Sequence, residues 1–165
     1  MNKAVCVIGP SGSGKSTFCD SLNRLLMDHG SLSKVINLDP GSESDLYVPF
    51  ADIRELVRLD EVQEELSLGP NGGLMYCMRY LDENFDWLKE KLKSKDDTIF
   101  ILDFPGQIEL FTNTDALENI LNKLCEVTTP CLVQLFDSFF CRIISFRRFK
   151  ISFGSNIFSD YFYQV

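Results

Sequence analysis

The sequence is short of several things that would direct it elsewhere. It has one histidine, and none of its six cysteines (Cys6, Cys19, Cys77, Cys125, Cys131, Cys141) form a C-x-x-C pair. Scattered thiols of this kind are reduced cysteines packed as small hydrophobes, not a disulfide framework. His29 falls where a helix should end, which makes it a surface residue near the helix dipole and not a ligand. No apolar run is long enough to cross a bilayer, so a membrane helix is not expected. The start of the chain passes from Met1 into a strand-like run and a glycine loop, without a signal-peptide pattern. Basic charge is also scarce: 16 Lys and Arg face 24 Asp and Glu, for a net charge of −8. An acidic surface repels phosphate backbones, so direct nucleic-acid binding is not expected.

What is present is an α/β pattern of a size that buries one core. Lys3–Ile8 is a short apolar run and predicts a buried strand. Lys15–His29 carries Phe18, Leu22, Leu25 and Leu26 at near-helical spacing, and Gly30 is a stop signal. Val35–Leu38 predicts a second strand, closed by Asp39-Pro40-Gly41. Asp52–Leu66 predicts an acidic helix. Gly69-Pro70-Asn71-Gly72-Gly73 is a breaker cluster, read as an exposed, kinked connection between two helices. Leu74–Leu92 predicts another helix, Thr98–Leu102 a third strand, Leu117–Leu124 a short helix and Cys131–Phe136 a fourth strand. Strands alternating with helices imply a mostly parallel sheet flanked by helices on both faces.

The segment Gly9-Pro10-Ser11-Gly12-Ser13-Gly14-Lys15-Ser16 fits G-x-x-x-x-G-K-[ST] in full. Gly12, Ser13 and Gly14 let the backbone curl so that successive N–H groups face phosphate oxygens. Lys15 brings a cation to the outer phosphates, Ser16 a hydroxyl ligand for Mg²⁺, and Thr17 a donor for the α-phosphate. The helix that follows aims its positive end at the same place. Chance alone gives such a match in about one in 200 chains of this length, and here it falls between a strand and an amphipathic helix, as the mechanism requires.

A second signal lies downstream. Ile99-Phe100-Ile101-Leu102-Asp103 is an apolar strand ending in a carboxylate, which in a phosphate-loop sheet stands beside the magnesium. Gly106 can bring a backbone N–H to the γ-phosphate, and Gln107 stands where a side chain can orient a hydrolytic water. Asp39 ends another strand; its alternative role is a turn former before Pro40.

These motifs, taken in order, resemble the GPN-loop GTPases. The resemblance is carried by Gly9–Thr17, Asn37-Leu38-Asp39-Pro40, Asp52-Ile53-Arg54-Glu55-Leu56, Gly69-Pro70-Asn71-Gly72-Gly73 and Asp103-Phe104-Pro105-Gly106-Gln107-Ile108-Glu109-Leu110. The flanking Leu74-Met75-Tyr76-Cys77-Met78 and Asn84-Phe85-Asp86-Trp87-Leu88 look most like the third eukaryotic paralogue. The resemblance covers about residues 3–138. It implies a P-loop NTPase fold in which the two phosphate-reading strands are neighbours, with GTP as substrate and Mg²⁺ as cofactor, held by Ser16 and Asp103. It also implies a homodimer, or a heterodimer with another family member, in which the GPN loop (Gly69, Pro70, Asn71) of one subunit serves the other's site. Asp39 and Gln107 would act on the attacking water, with Asn71 supplied in trans. RNA polymerase II subunits are the implied clients, and cytoplasmic residence with shuttling to the nucleus the implied location.

The chain also departs from the family. A guanine-reading [NT]-K-x-D motif is not found; Asn122-Lys123-Leu124-Cys125 has the wrong last residue and sits on a predicted helix. From Phe139 to Val165 the composition changes to seven phenylalanines with no Leu, Ala or Glu. Arg142, Arg147, Arg148 and Lys150 against Asp160 alone give this tail +3, leaving −11 for the rest of a −8 chain. The expected organisation is therefore a partial P-loop domain over 1–138, incomplete on its C-terminal side, and an aberrant tail over 139–165, as a truncation would produce. Two functions follow: a dimeric GTP-hydrolysing switch, or a nucleotide-binding interaction module that does not turn over. A small-molecule kinase is weaker, since Arg24, Arg54, Arg58 and Arg79 do not cluster as a lid would require.

Overall fold

The structure is a computed structural model that describes residues 2–42, 46–107 and 115–136. The Ile108–Leu110 end of one motif and the whole 139–165 tail lie outside the described residues. The chain runs β1 (Asn2–Ile8), α1 (Lys15–Asp28), β2 (Leu32–Asn37), β3 (Ala51–Asp52), a 3-10 turn (Ile53–Glu55), α2 (Leu59–Leu66), α3 (Pro70–Glu83), α4 (Phe85–Lys91), β4 (Thr98–Asp103), α5 (Ala116–Val127) and β5 (Thr128–Gln134). The strands form one sheet in the order β3-β2-β4-β1-β5, and every described pairing is parallel.

Parallel strands covered on both faces must be apolar on both faces, and alternate residues here feed two cores. Ala4, Cys6 and Ile8 of β1, Ile36 of β2 and Phe100 and Leu102 of β4 face α3, α4 and α5, where Met78, Leu81, Leu88, Ile120 and Leu124 close over them. Val7, Val35 and Ile101 face α1 instead, against Cys19, Phe18, Leu22 and Leu26. Burial on both faces explains why these strands appear in the sequence as short, near-continuous apolar runs.

The register lines up the strand ends that carry chemistry. Val7 of β1 and Asn37 of β2 both pair with Asp103 of β4, and Asn37 also pairs with Asp52 of β3. The loop after β1, the Asp39 turn after β2 and the Asp103 carboxylate thus share one rim. In open α/β sheets this carboxyl-end rim is where ligands sit.

Three sequence expectations are corrected. The breaker cluster is not a loop: Gly69 is the extended N-cap of α3 and Pro70 its first residue. Proline is tolerated there because its missing N–H would have no helical partner anyway. Gly72 and Gly73 lie inside the helix, and at Gly73 the reason is packing: a Cβ there would stand 2.8 Å from Leu59 Cδ1 and 2.9 Å from Gln63 Cγ, so glycine lets α2 approach. The acidic stretch from Asp52 is not one helix. Asp52 pairs in the sheet, then caps the 3-10 turn while the Glu55 side chain accepts from the Asp52 N–H, and α2 begins only at Leu59. The helix expected over Leu74–Leu92 breaks at Asn84, whose side-chain amide donates to Tyr80 O at 2.8 Å. Among the described residues, Cys6, Cys19 and Cys77 are buried free thiols, Cys125 is partly buried and Cys131 exposed.

Candidate functional site

The loop after β1 is built on left-handed glycines. Gly12 and Gly14 have φ of 78° and 84°, conformations other residues rarely adopt, and Gly14 is the N-cap of α1. Gly9, at φ 154°, has no room for a side chain: a Cβ would lie 2.6 Å from Leu135 O. No side chain caps α1 and no acidic residue occupies its first turn, so its leading N–H groups and positive dipole are left to an anion.

Lys15 is folded into this loop. It is 8% exposed, and its ammonium donates to Pro10 O at 3.1 Å. Burial lowers its pKa, while Asp103 and Asp39 act in the opposite direction. Gly106 lies directly against the same place: a Cβ there would meet Lys15 Nζ at 2.6 Å and the Ser11 backbone N at 2.7 Å. The segment after β4 therefore meets the phosphate loop at Gly106, where there is no room for a side chain. Ser16 is partly buried behind Lys15, and Thr17 is exposed on the first turn of α1.

Asp103 is 1% exposed. Its Oδ2 accepts from the Tyr47 hydroxyl at 2.7 Å, and its Oδ1 has no hydrogen-bond partner. Ser13 Oγ and Gln107 Oε1 are likewise buried without partners. Three orphaned buried oxygens in the loop and the β4 segment are costly in an apolar setting, and phosphate, water or a cation would satisfy them. The residues fit magnesium. Ser16 and Asp103 offer hard oxygen ligands, and magnesium is commonly held by one or two carboxylates together with a substrate's phosphates. Among the described residues no group of three or more His, Cys, Asp or Glu could hold a metal by itself.

Asp39 is partly buried in the turn after β2. Its Oδ1 accepts from Gly41 N at 3.0 Å. Burial raises its pKa, the Gly41 N–H offsets this in part, and Asp103 raises it further. Asn37 clamps the Asp39 peptide from both sides, accepting from its N–H at 3.1 Å and donating to its C=O at 3.2 Å. The Asn37 amide also donates to Asp52, which receives Arg54 through both carboxylate oxygens. Although burial pushes the Asp52 carboxyl up, the Arg54 and Asn37 hydrogen bonds win and hold it below the usual range.

The structure thus gathers Gly12, Ser13, Gly14, Lys15, Ser16, Asp39, Asp103, Gly106 and Gln107 at one rim. Asn71 is different: it is exposed in the first turn of α3, and its side chain makes no hydrogen bond within the described chain. Lys123 is bound to Asp82 Oδ1 at 2.6 Å and Asn122 is exposed beside it, so this pair belongs to the surface of α5. His29 accordingly ends α1, its Nδ1 2.8 Å from Leu25 O. Sequence reasoning missed Tyr47 altogether, used Asn37 only as motif text, and weighed Arg54 only as motif text and as one of four scattered arginines. Tyr47 lies in a stretch without regular structure, where no periodicity flags an inward-facing side chain. The buried carboxylates of Asp52 and Asp103 were the one available hint that polar partners had to exist.

A parallel sheet, a glycine loop entering a helix and a carboxylate at the neighbouring strand end define a P-loop nucleotide-binding protein. A family model described as a conserved hypothetical ATP binding protein matches residues 7–164. The GPN-loop GTPase 2 homolog of Dictyostelium discoideum is 44% identical over 137 residues, covering 82% of this chain and 44% of its own length. GPN-loop GTPase 3 of Saccharomyces cerevisiae is 47% identical over 122 residues, covering 74% of this chain and 45% of its own. The crystal structure of an apo GTPase from Pyrococcus abyssi superposes with a TM-score of 0.66 at 31% identity, over 80% of this chain and 52% of that one. The chain belongs to the GPN-loop GTPase family. It spans less than half the length of the curated relatives it matches.

Proposed function

We propose that this chain carries the phosphate- and magnesium-binding part of a GTP-hydrolysing switch. The observation that carries the reading is the rim itself: an open helix N-terminus, a buried lysine, and unpartnered oxygens of Ser13, Asp103 and Gln107 brought together. Backbone N–H groups of Gly12–Thr17 and the Lys15 ammonium bind the triphosphate. Ser16 and Asp103 hold magnesium, which when bound offsets charge developing on the phosphates. Asp39, whose pKa is raised by burial, accepts a proton from the attacking water. Gln107 orients that water, and the Gly106 N–H contacts the γ-phosphate.

The relatives' names support GTP as the nucleotide and hydrolysis as the reaction. Asn71, exposed at the start of α3, suits delivery to a second subunit in a homodimer or heterodimer. A role with RNA polymerase II subunits, and movement between cytoplasm and nucleus, belong to the same reading by family resemblance alone. The division into a P-loop domain over 1–138 and a distinct tail belongs to the same reading and rests on the change of composition at Phe139. The test is phosphate release from GTP and from ATP, with both nucleotides competed against a labelled triphosphate. Binding with GTP-dependent release supports the switch. Binding without release of phosphate from either supports the interaction module. Equal displacement by GTP and ATP would place base recognition outside this chain, and displacement by neither would end the reading.

A further inference from the structure

We propose that Tyr47 is a positioning residue for the metal-side carboxylate of the candidate site: its hydroxyl occupies Oδ2 of Asp103 and leaves Oδ1 as the oxygen offered to the cation or its water. The inference rests on the reading of Asp103 given above and adds to it a residue that the phosphate-loop chemistry does not use.

Three observations carry it. The hydroxyl–carboxylate bond is short, 2.7 Å, and ties residues 56 apart in sequence. The two oxygens of Asp103 are unequal: Oδ2 accepts from the hydroxyl, while Oδ1 has no partner of hydrogen-bond geometry, although the buried Cys19 thiol also lies beside the carboxylate. And Tyr47 turns inward between exposed neighbours: Leu46 and Val48 are 48% and 95% exposed, while the Tyr47 ring packs on the Val7, Cys19, Val35 and Ile101 cluster. Packing alone would be served by phenylalanine, so the hydroxyl has its explanation in the carboxylate.

The physical consequence is one of orientation. A carboxylate at a strand end can rotate about its terminal bond, and either oxygen can then meet a ligand. A donor fixed by a packed ring removes that freedom. Outer partners that orient metal ligands typically account for 10–100-fold in metal affinity. Tyr47 also follows the Asp39 turn and precedes β3, so the same bond ties the segment after Asp39 to the end of β4.

The experiment compares wild type with Tyr47→Phe, which keeps the ring in its apolar seat. Two quantities are measured on the 165-residue chain: GDP affinity in EDTA, and Mn²⁺ affinity of the GDP complex by electron paramagnetic resonance. The expected result is unchanged GDP affinity without metal and Mn²⁺ affinity about 10–100-fold weaker. Wild-type Mn²⁺ affinity in the variant would overturn the assignment. So would tighter Mn²⁺ binding, which would make the hydroxyl a competitor of the cation. Failure of the wild-type chain to bind GDP both in EDTA and with Mg²⁺ would instead overturn the nucleotide site, and the proposal with it. If Tyr47→Phe does not fold, the wild type still decides. The Tyr47 hydroxyl proton should remain detectable by NMR when the GDP complex is saturated with Mg²⁺, and its loss on adding Mg²⁺ would overturn the proposal.

Discussion

The rim and the start of α3 are opposite kinds of surface. At the rim, Lys15 and Asp103 are buried charges and three buried oxygens have no partner. At the start of α3, Gly69, Pro70 and Asn71 are all exposed, and Pro70 removes one of the donors that a helix start leaves without a helical partner. The first arrangement costs folding free energy that an anion and a cation would return. The second leaves its polar groups to solvent, and the Asn71 side chain has no partner among the described residues, as suits a group presented to another molecule. The difference teaches where to look for coupling. Substitutions at the rim should move stability, binding or turnover, whereas Asn71→Ala should touch neither stability nor binding.

The largest expected effect is on turnover. In the chain extended to the length of its relatives, Asp39→Ala should slow GTP hydrolysis by about a hundredfold or more, the usual scale for losing a general base, with GTP affinity little changed. Gln107→Leu should act in the same direction. Normal single-turnover rates in either variant would remove that residue from the chemistry.

Next comes Gly106→Ala. Its Cβ would fall 2.6 Å from Lys15 Nζ and 2.7 Å from the Ser11 backbone; the lysine tip can swing aside but the loop backbone must move. Overpacking of this kind costs about 1–3 kcal/mol, and a triphosphate affinity loss of roughly tenfold is expected on that scale. Calorimetric titration showing wild-type affinity would mean the loop and the β4 segment do not meet in the bound state.

Asn71→Ala should slow turnover several-fold while leaving melting temperature and nucleotide affinity alone. Mixing it with a Lys15→Ala chain should restore part of the activity, because one site of the mixed dimer then combines an intact Lys15 with the partner's intact Asn71. No recovery, with mixed dimers shown to form, would dissolve the contrast between the two regions.

The smallest effect concerns stability. Burial raises the Asp39 pKa above its ordinary 3.8, so folding favours the protonated form. The stability attached to this group is fully present below the ordinary value and is lost as pH rises through the raised one. Asp39→Asn can keep the Gly41 N–H bond without the charge. Its ligand-free melting temperature should exceed that of wild type by a margin that opens as pH rises above 3.8. Identical pH profiles would show that Asp39 is not strained in the free protein.

Much of the rim was legible because its chemistry is written in contiguous sequence. Gly9–Ser16 and the strand ending at Asp103 each combine a backbone requirement with a side-chain one. The parallel sheet followed from short apolar runs alternating with helical spacing, although β3 escaped notice because two residues do not make a run. The start of α3 was misjudged for a different reason. Glycine and proline signal a break on average, but Pro70 sits at the one helical position it favours, and Gly73 answers to the approach of Leu59 and Gln63 from α2, a tertiary cause no local rule contains. Tyr47, Asn37 and Arg54 act through contacts between distant or irregular segments, and only the fold brings those together.

The central claim is that Lys15 and its loop form a triphosphate site, and the most direct measurement is titration of a fluorescent GTP analogue against wild type and Lys15→Ala. Hydrogen bonds to charged groups are worth about 1.5–3 kcal/mol, so the account predicts at least a tenfold weaker Kd for Lys15→Ala, with a circular dichroism spectrum like that of wild type. Equal affinity in the two chains would contradict it.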